Sequence, residues 1–170
     1  EGLEMLESIW FILWGVLWAV YFMLDGFDLG MGTLMPFLAK NETEKQMFYQ
    51  AMGPFWDGNE VCLITAGGVT FAAFPTTYAV MFSGLYSALM LILFALIFRA
   101  VSLEFRGKRS SQGWRSSWDV AFAVSSALAT LLFGVAVGSS IRGIPVGAER
   151  EFAGGVMDLV GPYPLLVGLL

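Results

Sequence analysis

VCLITAGGVTFAAFPTTYAVMFSGLYSALMLILFALIF, residues 61–98, contains no charged side chain. A membrane-spanning helix needs about 20 predominantly apolar residues. This run is long enough for two, divided at Pro75. Charge-free runs also cover residues 9–24 and 120–141. The chain is 57% hydrophobic and 14% charged, against about 45–50% and about 25% in soluble domains. The pattern predicts an all-α fold, a polytopic transmembrane helix bundle forming a single domain over residues 1–170. Spans are expected at about 8–38, 54–74, 76–98 and 118–139, with a fifth starting at 164. Neither strand alternation nor an internal repeat competes. The first expected helix is roughly 45 Å long, more than a hydrocarbon core requires. It must tilt, kink near Gly26, Gly30 and Gly32, or project beyond the bilayer. Its acidic flank, Glu1, Glu4 and Glu7, argues against a cleavable signal peptide.

Basic residues set the expected orientation. The third-to-fourth connection holds Arg99, Arg106, Lys108, Arg109 and Arg115, and the first-to-second holds Lys40 and Lys45. These fall on one side, read as cytoplasmic. Arg142 and Arg150 fall on the other, with the N-terminus outside.

Four acids interrupt the apolar sequence: Asp25 and Asp28 in LDGFDLG, Asp57 and Glu60 in FWDGNEV. A charge at the bilayer centre costs at least about 2.5 kcal/mol. Each pair is spaced i, i+3, which puts both carboxyls on one helix face. The expected topology places both pairs in the cytoplasmic half of the membrane. Adjacent antiparallel helices would bring them together, joined by Asn59 and water. Partly dehydrated, mutually repelling carboxyls exchange protons near neutral pH. Other readings stand beside this one. Asp57 is also an ordinary helix N-terminal carboxylate. Asp28 is also a candidate for a structural ion pair with a partner subunit, and Glu60 for a cation ligand.

The chain has no histidine and a single cysteine, Cys62. Haem and copper centres draw mainly on His, Cys, Met or Tyr, so no metal site is expected here. A lone cysteine in apolar sequence reads as a small buried hydrophobe. The net charge of −5 gives no reason to expect nucleic acid. Gly26-x-x-x-Gly30 and Gly134-x-x-x-Gly138 allow close helix approach or are merely tolerated. Trp10, Trp14 and Trp18 share one helix face and read as interface anchors, or else as a stacking surface for a quinone or a neighbouring subunit. Trp114 and Trp118 read as anchors beside the basic loop, whose charges could also meet anionic lipid.

DGFDLGMG, GPFWDGNEVCLITAGGVTFAAFP and FSGLYSALMLILFALIFRAVSLEFR together resemble the N-terminal half of subunit II of cytochrome bd-type quinol oxidases. The resemblance runs from about Met5 to the end of the chain. It implies a non-haem subunit beside a haem-bearing subunit I that carries haems b and d and oxidises quinol while dioxygen is reduced to water. It implies a multi-pass protein of a bacterial or archaeal inner membrane, among lipid and quinol, with a small accessory subunit as a further partner. It gives Asp28 and Asp57 a role in a cytoplasmic proton path, with Asp25 and Glu60 as weaker carry-overs. Trp56 becomes a candidate quinone contact. Two departures are visible. Cys62 stands where the family usually has Trp, and family members are about twice this length, so a fragment is expected. The competing class is a proton- or cation-coupled transporter or channel subunit, which would often show an inverted repeat with broken helices.

Overall fold

The computed structural model describes residues 2–145 and 161–169, and Arg150 lies outside them. The described residues form helices and no strands, in the order α1 Gly2–Leu38, α2 Glu42–Met52, α3 Trp56–Ala73, α4 Pro75–Gly84, α5 Tyr86–Arg106, α6 Gln112–Arg142 and α7 Pro162–Leu169. Three segments are long and apolar enough to cross a membrane: Glu4–Leu38, Tyr86–Arg106 and Gln112–Arg142.

The first helix runs 37 residues without a break, roughly 55 Å. The glycines at 26, 30 and 32 do not interrupt it. Pro36 sits in its last turn, where its missing N–H removes one bond to the preceding turn. The α2 helix replaces what the sequence suggested was a plain connection. Its start is a reciprocal cap: Asn41 Oδ1 accepts from the Glu44 N–H at 2.9 Å, and Glu44 Oε2 accepts from the Lys40 N–H at 2.6 Å.

The segment expected to span as 54–74 forms the 18-residue α3. Asp57, Asn59 and Glu60 make its first turn polar, which keeps it out of the apolar class that α1, α5 and α6 share. Phe74 ends α3, and Pro75 opens α4 at a position where its missing N–H costs nothing. The expected third span, 76–98, is divided at Leu85. Backbone bonds from Leu85 N to Met81 O and from Leu89 N to Leu85 O carry the chain across that break. The apolar helix beyond it reaches Arg106, well past the expected end. The α6 helix stops at Gly143, whose φ of +98° suits glycine.

Packing runs as a chain of neighbours: α5 lies on α6, α6 on α1 and α7, and α1 on α3. One apolar cluster joins Tyr21 and Leu29 of α1, Ile92, Ala95 and Leu96 of α5, and Ala129 and Phe133 of α6. A second joins Met35, Ala39, Met52 and Phe122, and ties α2 to the end of α1.

The two glycine pairs part company here. A Cβ on Gly134 would sit 2.4 Å from Gly168 Cα, and one on Gly138 would sit 2.9 Å from Pro164 Cα. Both would meet backbone, so α7 docks on α6 through bare glycine surface. Gly26 and Gly30 have nothing within 4 Å. Gly134→Ala should therefore destabilise the detergent-solubilised protein by about 1–3 kcal/mol, the scale of overpacking. Gly30→Ala should be neutral or stabilising, since it adds helix propensity without a clash. Thermal unfolding of the two variants side by side checks the difference.

Candidate functional site: a buried arginine among three carboxyls

The apolar helices bring their charges to one point. Arg99 of α5 is 1% exposed, and its guanidinium faces three acids. Nη1 lies 2.9 Å from Glu60 Oε1 and 3.2 Å from Asp25 Oδ1, and Nη2 lies 3.7 Å from Asp28 Oδ2. Asp25 and Asp28 are as buried as the arginine, while Glu60 keeps 22% of its side chain exposed. The i, i+3 spacing on α1 aims both aspartates at α3 and α5. Asn59, buried on α3, donates from Nδ2 to Asp28 Oδ2 at 2.7 Å and also reaches Leu24 O at 3.4 Å. Tyr21, one turn before Asp25, donates its hydroxyl to Asp25 Oδ2 at 2.8 Å.

Three of the four predicted acids thus converge: Asp25, Asp28 and Glu60. Asp57 lies one turn from Glu60 on α3. It is exposed in the first turn of α3 and makes no ion pair with Arg99. Trp56 begins the same helix, half-buried.

Arg99 had been assigned to the basic loop that sets orientation. Its burial removes it from that role and makes it the counter-ion of the acids. The signal was present, because Arg99 directly follows the charge-free run and lies two turns before Arg106. Asp28 finds its cation within the chain, so a partner subunit is not required for that pair. Tyr21 gave no sequence signal, being one aromatic in a run of aromatics.

A second ionic cluster closes the end of the bundle where α2 packs. Arg106 of α5 donates from Nε to Asp119 Oδ1 and from Nη2 to Glu42 at 2.9 Å. Lys45 Nζ and the Tyr49 hydroxyl each reach Asp119 at 2.9 Å. Arg115 joins Glu42 at 3.1 Å, and the Arg106 guanidinium lies 4.6 Å from the Tyr49 ring centre. Burial, and then the neighbouring Asp119 carboxylate, push the Tyr49 hydroxyl above its ordinary range. It therefore stays protonated and acts as a donor. Sequence reading missed this cluster, since its partners come from three separate helices.

With no histidine in the sequence, the Arg99 cluster offers carboxyls and a guanidinium. The cluster also holds the Tyr21 phenol and the Asn59 amide. Those groups suit ion pairing and proton exchange.

Long apolar helices joined by a buried ion cluster define a polytopic membrane protein with charge held at depth. The chain belongs to the cytochrome bd terminal oxidase subunit II family, whose model matches residues 6–170. It is 40% identical over 171 residues to cytochrome bd-I ubiquinol oxidase subunit 2 of Escherichia coli K12, covering 98% of this chain and 45% of that protein. It is likewise 40% identical to a probable cytochrome oxidase subunit 2 of Haemophilus influenzae, over 98% of this chain and 45% of the relative. The cytochrome bd ubiquinol oxidase subunit 2 of Bacillus subtilis shares 40% over 164 residues, 96% of this chain and 48% of that protein. The chain spans about half the length of the curated relatives it matches.

Removing the one cation from this cluster leaves buried carboxyls unpaired. Arg99→Leu should lower the stability of the detergent-solubilised protein by about 3–5 kcal/mol. Adding Asp25→Asn and Asp28→Asn to that variant should recover part of the loss. Denaturation midpoints of the single and combined variants measure both effects.

Proposed function

We propose that this chain serves as the non-haem subunit of a membrane quinol:oxygen oxidoreductase of the cytochrome bd type. It supports a haem-bearing subunit I and supplies acidic residues to a proton path from the cytoplasm. The observation that carries this reading is the convergence of Asp25, Asp28 and Glu60 on Arg99. Carboxyls outnumber the cation there, so the cluster can take up and give back protons while its helices stay fixed.

Exposure supports an order among the acids. Asp57 is open at the start of α3, Glu60 is partly open one turn on, and Asp25 and Asp28 are closed. In this reading Asp57 collects protons, Glu60 passes them inward, and Asp28 and Asp25 receive them under the hold of Arg99 and Asn59. The basic residues Lys45, Arg106 and Arg115 gather at one end of the bundle, which supports a cytoplasmic placement for that end and an N-terminus outside. The membrane would then be a bacterial or archaeal inner membrane. Haems b and d belong to the partner subunit in this proposal, and a small accessory subunit completes the complex. When bound there, the haems supply the redox chemistry of oxygen reduction. Trp56, beside Asp57, is the proposed quinone contact. The proposal also takes α1, α3, α4 with α5, and α6 as four spans, with a fifth starting at α7.

In an intact, haem-replete complex, Asp28→Asn and Glu60→Gln should each lower oxygen consumption at saturating quinol by about a hundredfold, the low end for a lost proton-transfer group. Asp57→Asn should have a smaller effect, because water can replace an exposed collector. Haem spectra taken alongside report assembly. Normal turnover across pH in all three variants, with haem intact, would rule out the proton path.

A further inference from the structure

Tyr21 is the polar group of the cluster that the acidic motifs do not account for. It is 0% exposed, in a chain whose other hydroxyl-bearing aromatics are at least partly open. Its ring is fixed on three sides by Trp18, Phe22 and Phe133, with centroids at 6.2, 5.4 and 5.5 Å. A ring packed this way has little rotational freedom, so the direction of its hydroxyl is set by the core. That hydroxyl donates to Asp25 Oδ2 at 2.8 Å, which leaves Oδ1 facing Arg99 Nη1 at 3.2 Å. Asp25 and Tyr21 together border a cavity of about 280 Å³ between α1, α6 and α7.

We propose that Tyr21 is a positioning residue for Asp25: it holds one carboxyl oxygen so that the other meets Arg99, and it fixes the inner limit of the acid cluster. This deepens the proton-path reading and rests on it. Without the phenol, Asp25 can rotate away from Arg99 toward the cavity. Arg99 would then keep only Glu60 and Asp28, and the path would lose its innermost group.

The groups that set the charge around Asp25 are few. Asp28 shares α1, Glu60 faces from α3, and Arg99 faces from α5. From α6 and α7 the cavity receives Thr130, Phe133, Gly134, Val137 and Val167, none of which carries a charge. Tyr21 is therefore the one side-chain hydrogen-bond donor to Asp25 among the described residues, with Arg99 its ion-pair partner.

The test uses Tyr21→Phe in the intact complex, which keeps the ring and removes the hydroxyl. Expected are normal haem content, a several-fold loss of turnover, and a displacement of the pH profile of oxygen consumption by about one to two units, the scale of a hydrogen bond to a charged group. Combined with Asp25→Asn, the substitution should add nothing further, because Tyr21 acts through that carboxyl. An unchanged rate and pH profile in Tyr21→Phe overturns the inference. It overturns this inference alone if Asp28→Asn and Glu60→Gln still lose turnover. If those variants also keep full turnover, the proton-path reading fails and this inference fails with it. Should Tyr21→Phe not assemble, fluorotyrosine at Tyr21 keeps the shape and changes only the acidity of the hydroxyl. An unmoved pH profile in that protein equally overturns the proposal.

Discussion

One guanidinium holds three helices to a common depth. Arg99 reaches from α5 to carboxyls on α1 and α3, although the main packing of α5 is on α6. In an apolar medium the alternative to pairing is an uncompensated charge, which is costlier than any single apolar contact in the bundle. The acids therefore fix register as well as charge. A slide of α1 by one turn would move Asp25 and Asp28 about 5.4 Å along the axis, out of reach of Arg99. Apolar contacts alone would tolerate such a slide far better, because lipid-facing and core-facing side chains here are chemically alike. Buried ion pairs are weak evidence for stability but a well-attested means of setting register.

The second ionic cluster does comparable work under different conditions. Arg106 and Asp119 are each 6% exposed, but their partners Glu42, Lys45 and Arg115 are substantially open. Water and salt reach this network, so its pairs are individually weaker than those at Arg99. Its value lies in number and in origin. It ties α2 to α5 and α6, and the apolar contacts of Met52 and Phe122 lie beside it. The two arginines are seven positions apart on α5, so both project from nearly the same face of that helix. That one face of α5 thus organises both the buried acids and the polar end of the bundle.

How much of this could be read from sequence follows from the same physics. The helical class was plain, because composition and unbroken apolar runs leave few soluble alternatives. The convergence of Asp25, Asp28 and Glu60 was legible from i, i+3 spacing and the adjacency of helices. Arg99 was not, since one arginine at the edge of a basic loop looks the same whether it faces water or turns inward. Asp57 stands apart from Arg99; helix position alone cannot say whether a first-turn carboxyl points at a neighbour or at solvent. The α2 helix had a readable signal in Asn41 and Glu44, a cap pair that the charge count of the loop obscured. The break at Leu85 had no proline to mark it. The two glycine pairs were equivalent in sequence, and only the helix laid against Gly134 and Gly138 separated them.

The uneven sharing of Arg99 is the last point that ties fold to chemistry. A salt bridge built for stability would give the arginine a matched, bidentate partner. Here the closest approach is to Glu60, the most exposed of the three acids, and the longest is to Asp28, which Asn59 holds instead. The guanidinium therefore stands nearer the solvent-facing acid than the buried pair needs for simple neutralisation. Arg99 Nε and Nη2 and Asp25 Oδ1 have no hydrogen-bond partner among the described residues. A cation shared by three carboxyls on two other helices can favour whichever of them is ionised.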